Sequence, residues 1–363
     1  MNETKSLKFL IILPFLSVFF QVGILSSGPQ LQQMYGNSFY TSTFIAITPL
    51  ITMIFGSLWG PILKTLGEKK TFGVALLGWI LSLILITIFL SNPILGIIFR
   101  GMQGIFDAVF FSIALAGVSK SSIEGNLKAK YYGAIEFMAS FGSIMGPLII
   151  GTGFVFNPKY VLLLVIIIVS LYAILGYNII KNIKIDTVET KKGKFSPKIF
   201  LATFFGIVIL STIVSNQAVL PGFGENSFNS PIVGKFLVSI FGTFIMLGNM
   251  LKHKIKGVKY WIPMIASVML FIAYIFINFV FVYLLFTMIT GFLLGLSLTM
   301  SSEYASKLSK GFEETGMTVY SSLRISGNFL GPYLAGMFTH SNLIIIMSVL
   351  TLASTGFLKV SKE

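Results

Sequence analysis

The sequence predicts an all-α integral membrane fold, with twelve transmembrane helices in two six-helix bundles related as parallel repeats. Three observations carry this expectation. The 363 residues are 55% hydrophobic and only 10% charged, whereas a soluble globular chain carries about 25% charged residues. Apolar blocks of about 20 residues, the length that crosses a bilayer core, recur from one end of the chain to the other. Short glycine-bearing motifs also recur in order, at a spacing of 185 to 187 residues.

Taking the apolar runs between turn signals, the first helix covers 8–28. It could pass for a signal peptide, but no small-residue cleavage site follows and similar segments come after it, so it is expected to be retained. The next spans are 41–63, 72–91, 94–118, 131–155 and 160–181. The polar stretch KNIKIDTVETKKGKFSPK, Lys181 to Lys198, is unfit for a bilayer and is expected to be a cytoplasmic linker. The remaining spans are 199–220, 232–251, 260–279, 281–302, 316–338 and 342–358. The domain expectation is therefore a first bundle over 1–181, a linker over 182–198 and a second bundle over 199–363. GSIMGPLIIG (Gly142–Gly151) returns as GNFLGPYLAG (Gly327–Gly336), FRGMQG (Phe99–Gly104) as FTMITG (Phe286–Gly291), and Phe55-Gly56 as Phe241-Gly242. Three matches at nearly one offset predict a duplicated unit, and repeats with a site near the midplane are a transporter architecture.

The formal charge of +14 would fit nucleic acid if it were spread evenly. It is not. With loops assigned to alternating sides, 22 of the 26 basic residues fall on one side, leaving Lys159 and, at a helix mouth, Lys235 on the other, and two arginines inside spans. That asymmetry is the positive-inside pattern. It predicts both termini in the cytoplasm, a multi-pass protein of the cell membrane in contact with lipid, and no nucleic-acid partner. The absence of cysteine excludes disulfides and thiolate metal sites. His253 and His340 fall in loops or at helix ends, and no Walker-type phosphate loop occurs. No cofactor, no metal and no enzymatic activity are expected.

Four motifs then carry a resemblance. GPILKTLGEKK (Gly60–Lys70) matches G-x-x-x-D-R-x-G-R-K at Gly60, Gly67 and Lys69, and its basic tail extends to Lys70. RGMQGIFDA matches R-x-x-Q-G-x-G-A-A at Arg100, Gln103, Gly104 and Ala108. GSIMGPLIIG matches G-x-x-x-G-P-x-x-x-G, and GILSSGP (Gly23–Pro29) matches G-x-x-x-x-x-P. Over essentially its whole length the chain resembles a major facilitator superfamily transporter, and within it the twelve-helix drug/proton antiporters. The resemblance implies a monomeric, proton-coupled exporter of small amphipathic or drug-like compounds working by alternating access. A proton symporter or facilitator for a sugar, organic acid or other metabolite shares this fold. A non-transporting membrane sensor or scaffold is the rival of another class.

Four charges remain firmly inside spans: Arg100, Asp107, Glu136 and Arg324. They are the proton-coupling candidates, because charges at such depth cost about 2.5–3.5 kcal/mol or more and normally face a partner or a wet cavity. Arg100, Gln103 and Asp107 share one helix face at i, i+3 and i+7. Asp107, near the middle of its span, is the first choice for the protonatable carboxylate; the competing reading is a fixed Arg100–Asp107 pair. Glu136 is either a second proton or substrate-charge site, or a helix-end acid that reaches for water or pairs with a cytoplasmic lysine. Arg324 either faces the cavity or pairs statically with Glu136 or Asp107. Candidate substrate contacts are Gln21, Gln103, Asn216, Gln217, Thr287 and Thr290, with Ser26 and Ser27 beside them; the competing role for each is an interhelical hydrogen bond. The abundance of Phe (36) and Met (15) fits lipid contact and packing, or an adaptable apolar chamber.

The gating candidates are the Gly-Pro motifs, Gly142, Gly146, Pro147 and Gly151 with Gly327, Gly331, Pro332 and Gly336. Their glycines allow close helix approach and their prolines favour a bend. The 60–70 turn departs from the family pattern: Lys64 stands at the acidic position and Glu68 where an arginine is expected. Because Glu313 and Glu314 precede helix 11, an inverted latch from Lys64 to either is one expectation. A local Lys64–Glu68 contact is the other.

Overall fold

The computed structural model describes residues 2–56, 58–120, 125–180, 198–255, 259–308, 320 and 322–362, and among them every regular element is helical. A few helical residues, Lys64 and Glu136 among them, are described in backbone alone. The chain divides into two compact units, Met1–Val188 and Glu189–Glu363. The first carries α1 (Asn2–Leu10), α2 (Ile12–Ser26), α3 (Gly28–Tyr35), α4 (Ser38–Gly56), α5 (Trp59–Ile88), α6 (Pro93–Lys120), α7 (Gly125–Gly146), α8 (Thr152–Phe156) and α9 (Pro158–Ile179). The second carries α10 (Lys198–Phe228), α11 (Pro231–Leu251), α12 (Trp261–Ile275), α13 (Val280–Leu308), α14 (Ser326–Met337) and α15 (His340–Lys362). The expected linker, 182–198, falls outside the described residues except for Lys198.

Nine helical stretches among the described residues are long and apolar enough to cross a membrane, and Trp261–Ile275 and His340–Gly356 are shorter apolar helices. The span expected over 316–338 is described mainly from Ser326 to Met337. This is the twelve-helix membrane fold that the sequence predicts. Apolar side chains cover both sides of α5: Leu76, Trp79, Leu83 and Ile86 are buried, while Leu77, Leu81, Ile84 and Ile88 form an exposed stripe. A helix with one apolar face in the protein and another left outside is built for lipid.

The internal repeat is visible as a repeated packing scheme. In the first unit α2 packs on α7, α4 on α6, α5 on α6 and α5 on α9. In the second, α10 packs on α14, α11 on α13, α12 on α13 and α12 on α15. Helices one and five, two and four, three and four, and three and six thus pair in the same way within each half.

Three element boundaries differ from the sequence reading. The first span breaks at Ser27 into α2 and α3. There the hydroxyls of Ser26 and Ser27 both donate to Gly23 O, at 2.8 and 2.9 Å, and Pro29 opens α3. Side-chain bonds to the backbone, followed by a proline, compete with a continuous helix. The expected turn in the 60–70 segment is confined to one residue: Gly67 (φ 73°, ψ 168°) breaks the chain between two helical stretches of α5, because lysine and glutamate are good helix formers and only glycine readily takes that backbone conformation. Finally, α10 runs through Pro221 to Phe228, well past the expected end at 220.

Candidate functional site

The charged residues of α6 are brought to the interior of the first unit. Arg100, Gln103 and Asp107 are 1%, 0% and 3% exposed. Helix α4 holds this face by threonines one turn apart: Thr48 donates to Arg100 O at 2.8 Å and Thr52 to Gly104 O at 3.1 Å. Trp59 adds a bond from Nε1 to Ile105 O at 2.6 Å. Because these carbonyls are bonded from outside their own helix, the register of α4 against α6 is fixed.

The Arg100–Asp107 ion pair does not form. Asp107 Oδ2 accepts from Ser17 Oγ at 2.8 Å and from Gln21 Nε2 at 2.6 Å, both on α2. The two donors lie one turn apart on α2, and Gln21 Nε2 also reaches Ser17 Oγ at 3.4 Å. Gln21, expected as a substrate contact, is thus a ligand of the carboxylate. The reason is distance: Arg100 and Asp107 are two turns apart, about 10 Å along the axis. Arg100 instead donates through Nη1 to Gln103 Oε1 and through Nε to Phe44 O at 3.5 Å. The rings of Phe20 and Phe44 flank its guanidinium, with centroids 5.1 and 5.6 Å away.

The glycine motif lies on the opposite side of the same α2. A Cβ on Gly142 would stand 2.7 Å from Phe15 O, and one on Gly146 would collide with Phe19 O. The helix then changes pitch, since Pro147–Gly151 forms a π-turn before α8. Pro147 has no N–H to continue the α-helical ladder. In the second unit, Gly327 and Gly331 pack in the same manner, against Ile207 O and against Ser211 and Ser215 of α10. There Pro332 sits inside a continuous α14 extending to Met337, which includes Gly336.

The other sequence candidates are placed as follows. Asn216 donates to Thr212 O in its own helix at 2.8 Å, and Thr290 to Phe286 O at 2.8 Å. Gln217 and Thr287 are buried. These four belong to the second unit, as does Arg324, which donates to Ser302 Oγ at 3.0 Å and lies over the Tyr320 ring. Ser26 and Ser27 spend a bond each on Gly23 O. Glu68, expected on a solvated turn, is 2% exposed, while Lys69 lies over the Tyr177 ring at 4.7 Å. The side chains of Lys64 and Glu136, and all of Glu313 and Glu314, lie outside the described residues. The latch expectation and the alternatives for Glu136 fall there with them.

Sequence reasoning passed over three participants. Ser17 is one of many hydroxyls in apolar helices, and its partner is ninety positions away. Tyr35 packs edge-on against Phe44 at 5.7 Å and is coupled electrostatically to Arg100. Burial raises its phenol above the ordinary range, opposed by the Arg100 charge, so it remains a neutral donor. Lys235, expected at a helix mouth, is 0% exposed in α11 and within electrostatic reach of Glu225. Two glycines were the available signal there, since Gly224 and Gly234 bring α10 and α11 together.

Comparison with known proteins places this geometry in a family. No curated protein sequence matches the chain. Among solved structures, it is similar to a D-xylose–proton symporter, with a TM-score of 0.80, 11% identity and coverage of 97% of this chain and 96% of that one. It is also similar to a bacterial homologue of the human lysosomal transporter Spinster in an inward-facing, occupied conformation (TM-score 0.74, 12% identity, 97% and 96% covered). The unoccupied inward-facing form of that homologue gives a TM-score of 0.74 at 14% identity, covering 99% and 95%. At such identities these likenesses speak to the fold. The model of the Major Facilitator Superfamily matches residues 10–358. With its repeated six-helix packing and its buried polar face on α6, the chain belongs to that superfamily, a family of secondary transporters and not of enzymes.

Proposed function

We propose that the protein is a proton-coupled exporter of small amphipathic or drug-like compounds, an antiporter working by alternating access in the cell membrane. The observation that carries this reading is the Asp107 carboxylate. It is buried in the middle of a spanning helix, and it is held by Ser17 and Gln21 of α2, with no bridging cation among the described residues.

That arrangement couples a proton to a helix. The charged carboxylate accepts two hydrogen bonds from α2. When it takes a proton, one oxygen becomes a donor, and at least one of the α2 bonds must weaken or reverse. Bonds to a charged acceptor contribute about 1.5–3 kcal/mol each, enough to bias a two-state equilibrium substantially. Helix α2 is also the surface on which Gly142 and Gly146 ride, so the proton and the Gly-Pro motif act on one element. The export direction is supported by the resemblance of that motif to those of antiporters and by the π-turn that follows it. Access to Asp107 from alternate sides would then let a proton enter as a substrate leaves.

The test is proton movement in proteoliposomes under an imposed pH gradient, with a panel of cationic, neutral and anionic compounds. Asp107→Asn is expected to abolish substrate-dependent proton flux while leaving the protein folded. Unchanged flux in that variant would remove Asp107 as the carrier. Inward movement of solute with the proton would make the protein a symporter, and no flux with any compound would favour a sensor.

A further inference from the structure

Around Arg100 the first unit gathers hydrogen-bond donors and leaves them without acceptors. The guanidinium has five N–H groups, of which Nη1 reaches Gln103 Oε1 and Nε makes a long contact with Phe44 O. By accepting from Arg100, Gln103 presents its other amide atom, Nε2, to the surroundings, and that buried donor has no partner. The buried hydroxyl of Tyr35 has none either.

The three groups converge. The Tyr35 ring packs on Phe44, which also flanks the Arg100 guanidinium. A Cβ on Gly96 would stand 3.2 Å from Tyr35 Oη, and Gly96 is one turn before Arg100 on α6. Side chains on a helix lean toward its N-terminus, so Arg100 covers that same turn. The nearest acid on the helix, Asp107, already accepts from Ser17 and Gln21. What the cluster lacks is an acceptor carrying negative charge.

We propose that Arg100, Gln103 and Tyr35 form a binding site for an oxyanion, the carboxylate or phosphate group of the transported molecule. The Phe20 and Phe44 rings beside the guanidinium would meet its apolar portion. This deepens the transporter reading by giving the amphipathic substrate an anionic head, and it rests on that reading for its link to transport. The site is shut in this conformation, with Arg100 and Gln103 fully enclosed. One wall is the eight-residue α3, bounded by Ser27 and by Gly36 at φ 65°.

The experiment compares benzoate, phenyl phosphate, benzylamine and benzyl alcohol, which present different polar groups on a similar ring, for binding to the purified full-length protein. Binding is read by ligand-dependent thermal stabilisation. At least one of the two oxyanions is expected to bind about tenfold more tightly than the alcohol, as a charge-assisted bond would give, and the better of them identifies the head group. Tyr35→Phe is expected to weaken that binding about threefold to tenfold, the loss of one hydrogen bond, without lowering the melting temperature of the free protein. Gln103→Leu is expected to weaken it by a similar factor and also to lower the melting temperature, because it takes the acceptor from Arg100 Nη1. Equal or tighter binding of benzylamine or benzyl alcohol, no oxyanion binding, or wild-type affinity in both variants would overturn the proposal. Asp107→Asn separates the two readings: it is expected to keep oxyanion binding. Retained proton flux in that variant would sink the proton assignment alone.

Discussion

At Asp107, two neighbours on α2 do what a single cation was expected to do. Ser17 and Gln21 meet one carboxylate oxygen at 2.8 and 2.6 Å, and the interaction depends on the position of α2 in a way that an ion pair within α6 could not. Each bond should therefore matter to coupling more than to folding. Ser17→Ala and Gln21→Leu are each expected to reduce substrate-dependent proton flux about tenfold, the effect of one charge-assisted bond. Ser17→Thr, which keeps the hydroxyl, is expected to stay near wild type. Flux in liposomes and melting temperature in detergent, measured on the same preparations, separate a coupling defect from a folding defect. The polar α6 face was legible in the sequence, because charges in an apolar run at i, i+3 and i+7 fall on one helix face and are too costly to leave in lipid. The partners were not. A serine in a membrane helix has the same local signature whether it bonds to its own backbone, as Ser82 does to Gly78 O, or to a carboxylate ninety residues away. Burial of Lys235 was hidden for a related reason: its sequence neighbours do not tell a helix mouth from an interior, and the approach of α10 through Gly224 and Gly234 is a tertiary fact.

Helices one and five of each unit meet along a seam that side chains would close. Phe15, Phe19 and Gly23 of α2 present backbone to Gly142 and Gly146, so the contact is between main chains. Gly146→Leu would force the helices apart. It is expected to destabilise the protein by about 1–3 kcal/mol or more, the usual cost of overpacking, and to lower its melting temperature. Gly222→Ala serves as the control, since nothing lies within 4 Å of a Cβ there and alanine is the better helix former. It is expected to be neutral or slightly stabilising. Both copies of this seam were readable as a repeated Gly-Pro pattern, and long apolar runs announced the helices themselves. The turn in the charged knot was legible, but not that it would shrink to one residue. Trp59–Ile88 contains the charged knot and is nonetheless helical on both sides of Gly67, because helix propensity and hydropathy are separate properties. The π-turn at Pro147–Gly151 was equally silent, since its counterpart Pro332 lies in an unbroken α14. The same local motif therefore resolves differently in the two units, and packing rather than the motif decides.

For the whole molecule, the unequal distribution of lysine agrees with the placement of chain ends in the first unit. Ser6 bonds to Ile179 O at 3.4 Å and Tyr172 to Phe9 O at 2.5 Å, so the N-terminal lysines, Lys69 over Tyr177 and the end of α9 lie together. Lys159 begins α9, some eighteen residues before Tyr177, or about 27 Å away at the rise of an α-helix. That is close to the thickness of a hydrocarbon core, about 30 Å. We propose that the basic end and the Lys159 end face opposite sides of the membrane, with the basic end in the cytoplasm as the positive-inside rule would have it. The chain has no cysteine, so single-cysteine labelling needs no altered background. Lys159→Cys, at an exposed position, is expected to react with an impermeant maleimide in intact cells. Lys192→Cys, in the polar stretch Lys181–Lys198, is expected to react only after permeabilisation. The reverse pattern would turn the protein over in the membrane. The mouths would then trade places, but an inward proton gradient would still drive substrate out, because obligate exchange through Asp107 moves proton and substrate in opposite senses whichever way the protein is inserted.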